Sequence, residues 1–296
     1  MILVAGATGM VGGEVCRLLA SQGMPFRALV RASSPPAKVE ALKDLGAKLV
    51  KGDLCEAGTL RVACQGVSAV ICTVSSIPFS YKPGVNDIQT VDVDGVSGLI
   101  DAAKAAGVRQ FVYTSFSGNM DRPFPLRDAK RQVEQHLKQS GLAYTILRPS
   151  YFMEVWLSPA VGFDAANRKA TVYGSGDQPI AWIALQDVAR FAVESLTNPA
   201  ARNRVLELGG PECLSPHQVL RLYEAAAGQP FEVTHVPPEA LAAQSEQAAD
   251  PMQKSFIGLM ECYAAGDPMD MAGLQLAFGF RLTPVQAQIE RQPEHA

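Results

Sequence analysis

The chain has 296 residues, a formal net charge of −3, 48% hydrophobic and 19% charged residues. That length fits one large domain, or one domain plus a cap. The composition is an ordinary soluble one, and the small net charge gives no electrostatic reason to expect nucleic acid or an anionic membrane surface as a partner. No apolar run reaches the length of a membrane span, and a strand starting at residue 2 leaves no room for a leader peptide, so a cytoplasmic protein is expected.

The opening stretch Ile2-Leu3-Val4-Ala5-Gly6-Ala7-Thr8-Gly9-Met10-Val11-Gly12-Gly13 organises the rest. A short apolar run passes into a turn with glycines at 6, 9 and 12, and Val11, Val15 and Leu19 then recur at helical spacing. This is a strand, a tight turn and a helix. Such a turn lets backbone press against a pyrophosphate while the helix aims its first amides at it. Glycines also simply make turns; the strand before and helix after raise this triplet above a pattern match.

The second strand, Phe26–Val30, ends at Arg31. Where NAD-preferring folds carry an acid, an arginine suits the 2′-phosphate of NADP, with Ser33 and Ser34 as further donors. A solvated arginine at a strand end is the plainer alternative. A polar helix over 36–45 and a strand over 47–50 lead to Gly52-Asp53-Leu54. Asp53 can accept from an adenine amino group or cap a helix over 55–64. The fourth strand, 69–72, runs into Thr73-Val74-Ser75-Ser76, small residues that admit a ribose, and 77–90 reads as a loop over the site.

A long helix is predicted over 91–107, with Val93, Val96, Ile100 and Ala103 on one face. A strand follows over 110–114 and leads to Ser115. Next come a helix over 127–140 with Ala129, Val133 and Leu137 inward, and a strand over 144–148 that leads to Pro149-Ser150-Tyr151-Phe152-Met153. The alternation predicts an α/β fold, a Rossmann-like doubly wound parallel sheet with a small C-terminal substrate or cap region. The core is placed at 1–150, continued by roughly 180–210, and the substrate or cap region at 151–179 and 211–296. Beyond 150 the reading gives a strand at 170–173, a helix over 183–197, a strand at 204–208, a helix from Ser215 to Gly228 and a strand at 231–234. Helix is expected across 238–280, and a polar, frayed tail after Pro284.

Six scattered cysteines without a C-x-x-C pair read as buried free thiols. His136, His217, His235 and His295 lack metal-ligand spacing, so no metal is expected. Gly95-Val96-Ser97-Gly98-Leu99 lacks the last glycine of a nucleophile elbow and sits in a helix, against a hydrolase.

Taken together, Gly6-Ala7-Thr8-Gly9, Leu29-Val30-Arg31, Gly52-Asp53-Leu54, Ala106-Gly107-Val108, Lys130 with Glu134, Tyr144-Thr145-Ile146-Leu147-Arg148-Pro149 and Asp187-Val188-Ala189 resemble the atypical short-chain dehydrogenases of the NmrA-like type, over roughly residues 1–210. The resemblance implies NADP(H) as cofactor and a small C-terminal substrate region. Members include quinone and isoflavone-type reductases, a dye reductase, cofactor-sensing co-regulators and assembly factors for photosynthetic complexes. The candidate cofactor contacts are Gly6, Thr8, Gly9, Met10, Val11, Arg31, Ser33, Asp53, Leu54, Thr73, Val74, Ser115, Lys130, Pro149, Tyr151 and Phe152.

One departure stands out. Catalytic short-chain dehydrogenases use Tyr-x-x-x-Lys, and here Leu126 precedes Lys130 by four. Lys130 could touch the nicotinamide ribose and act as acid or base, as in isoflavone-type enzymes. It could equally be an exposed lysine paired with Glu134 one turn on. Two functions follow. One is an NADPH-dependent reductase of a flat conjugated acceptor such as a quinone, walled by Tyr81, Tyr151, Phe152, Met153, Trp156 and Trp182, which could equally be core. The other is a non-catalytic NADP(H)-binding sensor or assembly factor with a protein partner.

Overall fold

The structure, a computed structural model, describes residues 1–77 and 81–291. The chain divides into two compact units. The first comprises Met1–Ser115, Pro125–Arg148 and Val188–Leu206. Its strands are β1 (Ile2–Ala5), β2 (Phe26–Val30), β3 (Lys48–Lys51), β4 (Ala69–Cys72), β5 (Gln110–Thr114) and β6 (Ala143–Pro149); with β9 (Arg204–Leu208) they form a seven-stranded sheet in the order β3-β2-β1-β4-β5-β6-β9. The pairings along β3-β2-β1-β4-β5-β6 are parallel, as in Val4 opposite Ala28 on one side and Ile71 on the other. Asn203 donates to the Tyr144 carbonyl and Ser150 to that of Leu208, so β9 runs the same way. This is the doubly wound sheet expected from the sequence, with its order reversing at β1.

The helices of this unit are α1 (Met10–Ser21), α2 (Pro36–Asp44), α3 (Ala57–Cys64), α4 (Val96–Ala105) and α5 (Pro125–Gln139). Both faces of β1 and β4 are buried, which is why those strands read as unbroken apolar runs. Leu3, Val70, Leu60, Leu99, Phe111, Val133 and Ile146 belong to one core cluster.

The helix predicted from residue 91 begins earlier and differently. Ile88–Gly95 is a π-helix that passes into α4. Asp87 caps it, accepting from the Thr90 N–H at 2.9 Å while Thr90 Oγ1 accepts from the Asp87 N–H at 3.0 Å. The predicted loop over 77–90 therefore ends in a wide helical turn; its residues 78–80 lie outside the described chain.

The second unit comprises Phe116–Phe124, Pro149–Asp187 and the chain from Glu207 on. The core thus gives up residues 116–124 to this unit, a return across sequence that local pattern cannot reveal. A short helix α6 (Met153–Trp156) precedes a three-stranded sheet, β10-β8-β7, built from β7 (Phe163–Asp164), β8 (Lys169–Tyr173) and β10 (Glu232–Val236). Helix α7 (Leu185–Glu194) is shorter than predicted at both ends and carries the chain back to the first unit. The helices that follow are α8 (Pro216–Ala227), α9 (Pro238–Gln247), α10 (Pro251–Ala265), α11 (Ala272–Phe278) and α12 (Val285–Arg291). The expected single stretch 238–280 is three helices, broken at the Pro251 start and at Gly266. The tail read as frayed is helical to Arg291, with Val285 buried; residues 292–296 and His295 lie outside the described chain. Tyr151, Trp156, Trp182 and Tyr263 form an aromatic cluster, with ring centroids 4.8 Å apart for Tyr151–Trp156 and 5.3 Å for Trp156–Tyr263. No helix of the described chain is long and apolar enough to cross a membrane.

Candidate functional site

The site is built first from a turn whose Gly6, with Gly12 in the helix that follows, tolerates no side chain. Gly6 has φ +87°, and a Cβ there would stand 2.7 Å from Thr73 Oγ1. At Gly12 a Cβ would lie 2.1 Å from the Gly6 carbonyl oxygen. The Gly9 N–H donates to that same carbonyl at 2.8 Å, closing the turn. Gly9 is also the N-cap of α1; no side chain caps the helix and no acid occupies its first turn. The first amides and the positive end of the helix dipole therefore face outward without a competing ligand.

Around this turn runs a cleft of about 220 Å³. Gly6, Thr8, Gly9 and Met10 line it from the turn, and Thr73, Val74, Ser75 and Ile77 from the chain after β4. Leu29, Gly52, Leu54 and Val91 add further walls. Two cations border it. Arg31 donates from Nη1 to Asn86 Oδ1 at 3.0 Å, and Lys38 donates from Nζ to the Thr8 carbonyl at 2.9 Å. Ser34 Oγ accepts from the Arg31 N–H at 3.0 Å and fixes the bend after β2. Asp53, also lining the cleft, accepts from the Cys55 N–H at 3.0 Å ahead of α3, whose own N-cap is Glu56.

Of the residues singled out from the sequence, the cleft thus brings together Gly6, Thr8, Gly9, Met10, Arg31, Asp53, Leu54, Thr73 and Val74. Val11 and Ser33 do not line it. Val11 is already the second residue of α1, and Ser33 is exposed while its neighbour Ser34 turns in. Ser115 is buried, donates its hydroxyl to Glu134 Oε1 at 2.6 Å and does not line the cleft. Pro149, Tyr151 and Phe152 belong to the second unit. There the Tyr151 hydroxyl donates to the Leu259 carbonyl at 3.1 Å and the ring is 1% exposed, so core packing accounts for it. Trp182 and Met153 are likewise buried core.

Lys130 is not the exposed partner of Glu134. Glu134 does not pair with it; that carboxylate is held by Arg148 at 2.5 Å and Arg131 at 2.7 Å. Burial pushes the Glu134 carboxyl up, but the bonds from Arg148 and Ser115 and the two guanidinium charges outweigh it and leave it below the ordinary range. Lys130 itself is buried. Its Nζ donates to the Val74 carbonyl at 2.7 Å and lies 3.3 Å from Asp92 Oδ1. The ammonium therefore stands behind the cleft wall and is committed to two protein groups, an arrangement unlike a free acid or base. Leu126, in the place of the relay tyrosine, is 2% exposed.

Sequence reasoning missed Lys38 and Asn86 as cleft residues, while Ser75 lines the cleft as the small-residue run after the fourth strand led one to expect. Lys38 carried a signal, a cation in the first turn of a helix two residues past Pro36. Asn86 carried none, because its approach to Arg31 closes over 55 residues.

An uncapped helix end at a glycine turn, flanked by two cations and opening at the carboxyl ends of parallel strands where their order reverses, suits an elongated phosphorylated nucleotide. The NmrA-like family model matches residues 1–276. The chain belongs to the NmrA-like family. It is 35% identical over 277 residues to an NAD(P)H azoreductase of Xenophilus azovorans, covering 93% of this chain and 90% of that one. It is 32% identical over 238 residues to the photosystem II assembly factor Ycf39 of Trieres chinensis, covering 80% and 72%. Among solved structures, the NADPH-dependent quinone oxidoreductase QOR2 of Escherichia coli, complexed with NADPH, superposes with a TM-score of 0.75 at 25% identity, covering 98% of this chain and 99% of that one.

Proposed function

We propose that this member of the family binds NADP(H) in the cleft and reduces a small conjugated acceptor of the quinone type. The observation that carries the reading is the pairing of a tight glycine turn at α1 with Arg31 and Lys38 on the cleft rim. The residues fit the cofactor: glycine at 6 and 12 lets the turn close tightly against Thr73 and the start of α1, where a Cβ would collide, and among the described residues no side chain caps the α1 amides. In this reading the turn holds the diphosphate, Arg31 and Lys38 hold the 2′-phosphate, and Asp53 and Leu54 bound the adenosine. Bound NADPH supplies a hydride from its nicotinamide ring.

Among the described residues the cleft's ionisable side chains are Arg31, Lys38 and Asp53, and the tyrosine of the usual relay is replaced by leucine. Acceptors whose reduced oxygens take protons from water suit such a site, where positioning carries the rate. Relatives named for NAD(P)H azoreduction and quinone reduction support this. The test is calorimetry with NADP⁺ followed by NADPH oxidation against a quinone panel. Binding with turnover supports the reading, and tight binding with no turnover on any acceptor removes the enzymatic half.

The Ycf39 likeness and the leucine at 126 favour a second reading, a cofactor-loaded assembly or sensor protein. A protein partner retained on the immobilised chain only when NADP⁺ is present would favour it.

A further inference from the structure

The chain segment after β4 is gripped from behind by two charges that face no water. Asp92 is fully buried, and its Oδ2 accepts from the Ser76 N–H at 3.0 Å and the Ser76 hydroxyl at 2.6 Å. Its Oδ1 lies 3.3 Å from Lys130 Nζ and, among the described residues, has no hydrogen-bond partner. Lys130 in turn holds the Val74 carbonyl at 2.7 Å, and its Nζ lies 5.3 Å from the centre of the buried Tyr113 ring. The pair thus fixes three polar groups within three consecutive residues, two of which, Val74 and Ser75, lie in the wall of the cleft. Asp92 is carried by the π-helix Ile88–Gly95, a rare local form that recurs at functional sites.

A buried ion pair is a poor device for stability alone, since apolar residues of the same volume serve as well or better. What this pair does that an apolar pair could not is hold backbone at a set height. In the strand order, Arg31 and Asp53 follow β2 and β3 on one side of β1, whereas Val74 and Ser75 follow β4 on the other. On the cofactor reading, a dinucleotide whose diphosphate sits on the β1 turn, and whose adenosine lies toward Arg31 and Asp53, carries its second nucleoside toward the β4 side of the cleft, where Val74 and Ser75 stand. We propose that Asp92 and Lys130 are positioning residues that set the Val74–Ser76 backbone against the nicotinamide half of NADP(H). This rests on the cofactor reading above.

The test titrates two probes by calorimetry into the wild type and variants, NADP⁺ and adenosine 2′,5′-bisphosphate, which reaches only the β2–β3 side. Asp92→Asn removes the charge and keeps the shape. It is expected to weaken NADP⁺ about tenfold, the scale of one hydrogen bond to a charged group, and to leave adenosine 2′,5′-bisphosphate within about twofold. Ser76→Ala, which leaves the ion pair intact, carries the same test if Asp92→Asn does not fold, with an expected loss of about threefold for NADP⁺ alone. Equal weakening of both probes would show a general loosening and overturn the proposal, as would no weakening of either. A wild type that binds neither probe overturns the cofactor reading itself, and this inference with it.

Discussion

Arg31 and Asn86 meet at the rim of the cleft, the guanidinium donating to the amide oxygen at 3.0 Å. A guanidinium held this way is aimed before any anion arrives, so less side-chain freedom is lost on binding. Arg31→Asp should cost NADP⁺ about 1.5–3 kcal/mol, roughly ten- to a hundredfold in affinity, and leave NAD⁺ unchanged or improved. Asn86→Ala keeps the charge and loses the aim, so a smaller loss confined to NADP⁺ is expected. Equal affinity of the wild type for both nucleotides would show that Arg31 is a surface charge only.

Gly12 and Gly13 are neighbours with opposite tolerances. A Cβ at Gly12 would sit 2.1 Å from a backbone oxygen, whereas at Gly13 it would meet the Ala7 carbonyl at an ordinary 3.8 Å. Gly12→Ala should destabilise by at least about 1–3 kcal/mol and abolish nucleotide binding. Gly13→Ala, inside α1, should be neutral or stabilise by about 0.5–1 kcal/mol. Thermal melts with and without NADP⁺ check both. A Gly12→Ala protein that melts and binds like the wild type would show that the turn can open to admit a methyl group.

The Glu134 carboxyl, buried among Arg131, Arg148 and Ser115, is held below its ordinary range. Its contribution to stability is therefore complete above the usual carboxylate range, and is lost as pH falls through that range and then through the lowered value. Glu134→Gln leaves two guanidinium groups facing each other and should cost about 3 kcal/mol at neutral pH, the low end for a broken buried pair. The gap to the wild type should narrow in acid. A gap independent of pH would mean that packing, not charge, holds the cluster.

Asp267, in the second unit, has the opposite sign. Burial raises its carboxyl above the ordinary range despite bonds from Ser117 and Asn119. The stabilising protonated form is complete below the usual range and is lost as pH rises through the raised value. Asp267→Asn keeps an acceptor for Ser117 and Asn119, so its melting temperature at neutral pH should equal or exceed that of the wild type. The difference should vanish in acid. A marked drop at neutral pH would show that the ionised group is needed.

The strand, turn and helix at residues 2–21 were legible because their pattern is local: apolar run, glycine spacing, helical period. Arg31 was legible for the same reason, lying one residue past a strand. Asp92 was not. A reading at 3.6 residues per turn correctly turns Val93, Val96 and Ile100 inward. It gives no cause to bury a carboxylate beside them, because the wider π turn resets the register. Lys130 sits at the edge of the face set by Ala129 and Val133, and sequence offered Glu134 as its partner; Arg148, 14 residues further on, takes that partner instead. Ser33 was preferred to Ser34 with no local feature to separate them. The second unit is assembled from three separated segments, so neither the inclusion of 116–124 nor the parallel pairing of β8 with β10 leaves a short-range trace.

All six thiols are free: Cys55 and Cys213 are exposed, while Cys16, Cys64, Cys72 and Cys262 are buried and shifted away from the reactive thiolate by burial. An alkylating reagent should therefore mark the native chain twice and the unfolded chain six times. Mass spectrometry of that ladder gives a direct gauge of breathing in each unit, since Cys16, Cys64 and Cys72 report on one and Cys262 on the other.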